Sequence, residues 1–363
     1  MLNLREVAGA GNREEPAMIL LGRRTGRFVL LSLAVIACGT GPTEPPAGIL
    51  GRFDAFWGTF DAEYSYFEYK NINWDSLRTT FRPRAAAATS QDELVSILRE
   101  MAAPLRDVHV RFITPAGVQM PTYEPAARMN WDRSVWDRTS AACGLTQVKP
   151  NLSYCTMNGV AYIMAGGWND GQFSEADLDG VVDRFRDAPA MIIDVRPNGG
   201  GTDALAFALA GRFATASTVV GYYRFRSGPK HDDFGPETTR RIGPRGAFQF
   251  TRPVVVLAGR GAFSSNESFI SAMRELPNVT ILGDTTGGAS ANPVEHSLGD
   301  GWRYTVSRWI EWTADRQVIE WRGIPPDVHV LWDASAAALG RDLVLEAALA
   351  RLAPPAGSAA AQQ

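Results

Sequence analysis

Histidine and cysteine are scarce in this chain of 363 residues, which has four of the first and three of the second. Any mechanism that needs a base titrating near neutral pH must draw on His109, His231, His296 or His329. The cysteines form no CxxC pair and have no histidine at ligand spacing, which argues against a metal centre. No Gly-Lys-Ser/Thr and no GxGxxG is present, so the glycine-rich turns do not read as phosphate or dinucleotide loops. A net charge of −3 gives no basic footprint for nucleic acid. The N-terminal apolar run, Phe28–Ala37, is too short to span a membrane as a mature helix. What the chain does have is ten tryptophans, material for a core or for an aromatic cleft.

The N-terminus reads as a targeting segment, residues 1–38. Arg23, Arg24 and Arg27 precede the apolar run, which ends at Cys38 among small residues. Met18 is an alternative start. The ending resembles the lipobox of bacterial lipoproteins, which makes Cys38 the expected lipidation site; an ordinary signal peptide is the alternative. A Pro/Gly tether follows at 39–48. The expectation is an exported, lipid-anchored protein on the periplasmic or cell-surface side of a bacterial membrane. In that setting Cys143 and Cys155, twelve residues apart, are candidates for a disulfide. Residues 353–363, rich in Ala, Pro and Gln, read as a disordered tail.

Residues 49–105 read as a small helical subdomain. Phe53, Phe56, Trp57, Phe60, Tyr64 and Phe67 recur at three- and four-residue spacing, as one helical stripe does. Ser90 and Glu93 form a capping-box pattern ahead of a helix at 94–103, near Pro104. The core, 106–352, alternates strands and helices from about 160 to 283, which implies βαβ units and a parallel sheet. Ser174 and Asp177 cap one of its helices, and Asp194 is expected to bond Arg196 or backbone.

Two turns in that core carry chemistry. The buried strand at 190–195 ends in Arg196-Pro-Asn-Gly199-Gly200-Gly201, where backbone can come close to a substrate. The strand at 253–258 gives way, through Gly259 and Gly261, to Phe263-Ser264-Ser265-Asn266-Glu267 and a helix. A serine at such a turn is either an N-cap, with Glu267 completing a capping box, or a displayed nucleophile. Both turns follow C-terminal strand ends, the edge where α/β sheets place ligands.

Five stretches taken in order resemble the tail-specific (C-terminal processing) serine protease family, in its tricorn-core branch, over roughly residues 50–350. They are LRDVHVRF, MIIDVRPNGGG, VVVLAGRGAFSSNESF, ILGDTTGGA and GIPPDVHV. The resemblance implies an α/β fold with a crotonase/ClpP-like core sheet, and a peptidase acting on peptides or unfolded chains with no metal or cofactor. Carried over residue by residue, Ser264 matches the nucleophile, His109 the general base and Glu320 the acid that orients it. Ser265 and either Gly199 or Gly200 match the oxyanion donors. Ala289 stands where Ser–Lys members carry lysine, so a Ser–Lys dyad is excluded by this alignment. Val108 stands where the tricorn branch often has serine. Only about 50 residues, 113–160, lie where relatives carry a PDZ-type module, too few for one. Substrate capture then falls to a cleft that Trp168 and other aromatics would line. His296 beside Glu295 is the rival base; His329 is expected to be structural and His231 exposed. A silent binding protein and a non-peptide serine hydrolase are the alternative functions on the same fold.

Overall fold

The computed structural model describes residues 45, 46, 48–125 and 129–353; Cys38 and the expected signal and tail lie outside them. The chain opens with α1 (Ile49–Glu63), α2 (Phe67–Lys70), α3 (Trp74–Ala87) and α4 (Gln91–Ala102), then β1 (Arg111–Ile113) and β2 (Gln119–Pro121). There follow α5 (Arg133–Ala142), β3 (Thr146–Lys149), β4 (Leu152–Met157), β5 (Val160–Ala165), α6 (Glu175–Arg184), β6 (Met191–Asp194) and α7 (Asp203–Ala210). Next come β7 (Thr218–Phe225), β8 (Thr238–Ile242), β9 (Val254–Ala258), α8 (Ser265–Arg274) and β10 (Val279–Gly283). The chain closes with β11 (Pro293–Gly299), β12 (Trp302–Ser307), β13 (Trp309–Thr313), β14 (Val328–His329), α9 (Ala334–Ala338) and α10 (Leu343–Leu352).

The central sheet is mixed, in the order β14-β10-β9-β6-β5-β4-β3. From β14 to β5 every pairing is parallel; β4 and β3 extend the sheet antiparallel. Its inner strands are apolar on both faces, as a covered parallel sheet requires. Met191, Ile193, Val254 and Val256 point to the side of α6, α7 and α8, while Ile192, Val255 and Leu257 point to the side of α10. The period of two that separates these sets is the pleat itself. Since β10, β9 and β6 lie side by side and parallel, the loops after them converge on one edge. Those loops carry Thr285–Ala289, Ser264 and Gly199–Gly201.

The helical segment has no core of its own. Phe53, Phe56 and Phe60 pack with Phe112 of β1 and with Tyr304 and Val306 of β12, in the antiparallel sheet β11-β12-β1-β2. The expected boundary at 105/106 therefore cuts through one hydrophobic cluster, which the local aromatic stripe could not reveal. Ser90 does cap α4, accepting from the Glu93 amide at 3.2 Å, but the Glu93 carboxylate turns back to the Thr89 amide at 2.7 Å. At α6 the full reciprocal box of Ser174 and Asp177 forms. Cys143, at the end of α5, and Cys155 of β4 form a disulfide with Cα atoms 6.0 Å apart.

Candidate active site

Ser264 is the last residue before α8 and has φ +54° and ψ −131°, a conformation that L residues rarely adopt. Its side chain caps nothing. The capping-box reading is thereby removed, and so is the partner it needed. The Glu267 carboxylate turns away to accept from the Gly288 and Ala289 amides, each at 2.8 Å, and from the Thr286 hydroxyl. Burial pushes the Glu267 carboxyl up to about 7 against those hydrogen bonds. The Ser264 amide donates to Ala289 O at 2.8 Å, so the Ser264 turn and the 285–289 loop are held together at both ends.

The glycine loop meets the same turn from β6. Gly200 has φ +108°, and a Cβ placed on it would lie 2.8 Å from Ser264 Cβ. Two backbones approach here as only glycine allows. The Gly200 amide is spent on Asn198 Oδ1 at 2.8 Å. Of the two candidate glycines, Gly199 is the one whose amide stays unengaged among the described residues, as does that of Ser265 at the helix N-terminus. Asn266, fully buried, donates to Val195 O and Asn198 O at 2.9 Å each. Sequence reasoning passed over Asn198 and Asn266; buried amides flanking the glycine run and the serine were the available signal. Asp194 bonds Arg196 as expected, Oδ1 accepting from Nε at 2.9 Å.

His109 lies in the turn before β1 and is 5% exposed. Its neighbour Val110 is buried as well, and β1 beyond it is half-buried at Arg111 and buried at Phe112 and Ile113. The carboxylate beside the ring is that of Asp107, with Oδ1 3.8 Å from Nδ1 and accepting from the His109 amide at 2.9 Å. Nδ1 is buried and unpaired, which leaves Nε2 for the cleft. Burial pushes the imidazole down to about 4; Asp107 resists, and Arg111 and Lys70 add to the fall. Asp107 itself is pushed up by burial, but Lys70 and then His109 outweigh this and hold it below the usual range.

Glu320 is placed otherwise than the alignment implied. Its Oε1 accepts from Lys70 Nζ at 2.6 Å and its Oε2 from the Ser290 amide at 3.1 Å; no hydrogen bond links it to His109. Burial and the Asp107 charge push it up to about 8 against the pull of Lys70. The other histidines are engaged or distant. His296 Nε2 is 3.0 Å from Glu63 and its ring stacks on Tyr304, while Glu295 pairs with Arg303. His231, half-buried rather than exposed, lies 2.8 Å from Asp61. His329 is exposed on β14, not packed. Trp168 is wholly buried, its indole N–H donating to Asn266 Oδ1 at 3.3 Å, and so cannot line a cleft.

Two depressions adjoin across this junction. One, of about 280 Å³, is lined by Ser264, Ser265, Gly201, Asp203, Ser290 and Trp309. The other, of about 340 Å³, is lined by His109, Gly199, Phe263, Pro121 and Tyr123. Among the described residues Ser264 Oγ makes no hydrogen bond to His109; the two open on neighbouring halves of one edge.

A serine strained at a strand-to-helix turn, with free amides beside it at the C-terminal edge of an α/β sheet, is an arrangement in which serine hydrolases display a nucleophile. Residues 159–330 match peptidase family S41, and residues 45–103 match the tricorn protease C1 domain. Over those residues the chain is similar to the tail-specific, or C-terminal processing, serine peptidases. The carboxy-terminal processing protease CtpA of Bacillus subtilis is 29% identical over 143 residues, 39% of this chain and only 28% of that relative's length. A crystal structure of a candidate peptidase from Parabacteroides merdae is 28% identical, with a TM-score of 0.76 covering 85% of this chain and 98% of that one. The photosystem II D1 C-terminal processing protease shares the fold at 14% identity, with a TM-score of 0.53 over 82% of this chain and 99% of that one.

Proposed function

We propose that this chain is an exported, lipid-anchored serine endopeptidase that cleaves peptides or unfolded proteins, with Ser264 as nucleophile and His109 as general base. The observation that carries the reading is the strained, uncapped Ser264 set between the free amides of Gly199 and Ser265. His109 Nε2 accepts the Ser264 proton as Oγ bonds to the scissile carbonyl carbon, and the carbonyl electron pair moves onto oxygen. The Gly199 and Ser265 N–H groups face that oxyanion, each such donor being worth roughly 2.7–4 kcal/mol. Collapse breaks the C–N bond, and His109 returns the proton to the leaving amine. Water then repeats the sequence on the acyl-serine.

Because His109 must protonate the leaving amine, its half of the cleft takes the leaving-group side and the Ser264 half takes the acyl side. Asp107 supports the imidazole: shortening its 3.8 Å separation from Nδ1 by about 0.9 Å makes a hydrogen bond, the kind of tightening that substrate binding brings. Export is supported by the N-terminal segment ending at Cys38 and by the Cys143–Cys155 disulfide, a bond of oxidising compartments.

The test is labelling of the purified protein by a fluorophosphonate probe. Wild type is expected to label, Ser264→Ala not at all, and His109→Ala at least about 100-fold more slowly, the scale of general-base catalysis. Folded wild type that never labels sinks the enzyme reading and leaves a binding protein. A labelled protein that turns over esters but cleaves no member of a peptide library sinks the peptidase reading alone.

A further inference from the structure

One buried ion is left without a task by this mechanism. Lys70 ends α2, and its side chain has no exposure. A buried ammonium needs acceptors and a countercharge. Its Nζ donates to Glu320 Oε1 at 2.6 Å and to Leu105 O at 2.9 Å, and lies 3.8 Å from Asp107 Oδ2. That Asp107 oxygen is buried and has no donor in full hydrogen-bonding geometry; the hydroxyls of Tyr64 and Ser307 lie beside it, and the ammonium is the charge that meets it. The rings of Tyr64, Tyr66 and Trp321 close the ammonium in, with centroids 5.7, 5.3 and 4.9 Å away. Trp321 holds φ +66°, which is costly for a bulky residue, and its indole N–H donates to Arg106 O at 3.0 Å. The strained tryptophan is fixed where it covers Lys70.

We propose that Lys70 is a positioning residue of the active site: it ties Asp107 to Glu320, so that Asp107 stays an anion facing His109. The inference rests on the peptidase reading above. It makes the N-terminal helical segment part of the site rather than an appendage. The groups facing Lys70 are Asp107, Glu320 and the three aromatic rings; those facing His109 are Asp107, Arg111 and Lys70. Two buried carboxyls share one cation. Remove it, and either Asp107 takes up a proton and can no longer stabilise the imidazolium, or the unopposed carboxylates protonate His109 more readily. Activity needs ionised Asp107 and neutral His109, so both routes move the acid limb of the pH profile the same way, upward. The Leu105 carbonyl bond adds position to charge by fixing the chain two residues before Asp107.

The experiment is the rate of fluorophosphonate labelling of Ser264 from pH 4 to 8, read with the melting temperature. It uses wild type, Lys70→Met, Lys70→Arg and the double variant Lys70→Met/Glu320→Gln. Lys70→Met is expected to label at least about tenfold more slowly at pH 7 and to raise the acid limb by about one unit or more. Lys70→Arg is expected to recover most of the rate. A folded Lys70→Met with the wild-type rate and limb overturns the proposal, even if its melting temperature falls. Should the single variant fail to fold, the double variant, which removes the cation and one carboxyl together, decides by the same limb: raised supports, unmoved overturns. Failure of wild type to label is a different result, striking the peptidase reading itself.

Discussion

Gly200→Ala tests whether the meeting of the two loops is what builds the site. At φ +108° an alanine carries a backbone cost of about 1–3 kcal/mol. Its Cβ would also stand 2.8 Å from Ser264 Cβ and 2.9 Å from Phe263 O. Ordinary contact begins near 3.4 Å, so one loop must retreat by about 0.6 Å. Both obstructing atoms belong to the Ser264 turn and neither is the end of a flexible side chain, so the retreat moves Ser264 relative to the Gly199 amide. Overpacking of this sort adds about 1–3 kcal/mol of destabilisation. A displacement approaching 1 Å at a reacting group costs on the order of 100-fold in rate, similar to the loss of an oxyanion donor. Expected, then, are a melting temperature lower by several degrees and labelling slowed about 100-fold at saturating folded fraction.

The control is Gly199→Ala. No atom lies within 4 Å of a Cβ there and φ is not positive, so the alanine fits and keeps its N–H. Its stability is expected within about 0.5 kcal/mol of wild type, as for an uncrowded surface substitution. Gly200→Ala with wild-type stability and a labelling rate within threefold of wild type would refute the argument. So would a Gly199→Ala variant more damaged than Gly200→Ala.

Two further outcomes follow from the same structure. His109 is pushed down to about 4 in the fold from an ordinary 6.5, so labelling should hold down to about pH 4 instead of failing below 6.5. The unfolded chain binds a proton between those values that the folded chain refuses, so His109 makes stability fall as pH drops from 6.5 to 4, by up to about 3 kcal/mol; melts of His109→Asn should lose that part of the acid slope, and an unchanged slope counts against a buried neutral imidazole. The disulfide closes a loop with a sequence separation of 12, so Cys143→Ser/Cys155→Ser should cost about 2–3 kcal/mol, read as a denaturant midpoint that no longer responds to reductant.

Much of the site edge was legible because strand-ending signals are local. The apolar runs 190–195 and 253–258, the first giving way to Arg196-Pro-Asn and then glycine and the second directly to Gly259, place Gly199–Gly201 and Ser264 at strand ends from the sequence alone. The side-chain partners of that edge were not legible. Lys70 and Asp107 come from a helix and a turn separated by 37 positions, Glu320 from another 213 further on, and nothing in residue spacing tells which carboxylate the ring faces and which the ammonium takes. The same limit explains Trp168: a tryptophan after a glycine pair reads equally as cleft or core, and only the long-range bond to Asn266 decides. The helical segment looked separable because its aromatic stripe is continuous in sequence; what it packs on, Phe112 and Tyr304, lies beyond the boundary drawn from that stripe.

The carboxyls around Ser264 show where the fold puts its strain. Glu267, Glu311 and Glu320 are all buried and all pushed up by burial, while His109 is pushed down. Each carboxyl ties a loop end: Glu267 holds the Gly288 and Ala289 amides, Glu320 holds the Ser290 amide, and Glu311 takes the Ser290 hydroxyl and Arg240. Three acids thus fasten three consecutive residues, Gly288, Ala289 and Ser290, whose carbonyl Ala289 O in turn holds the Ser264 amide. Ion desolvation of this kind seldom adds stability. Its return is geometric, because a serine at φ +54° relaxes unless both flanks of its turn are pinned. The cost of the buried acids and the strain at Ser264 are therefore two sides of one arrangement, in which the 288–290 segment works as the clamp.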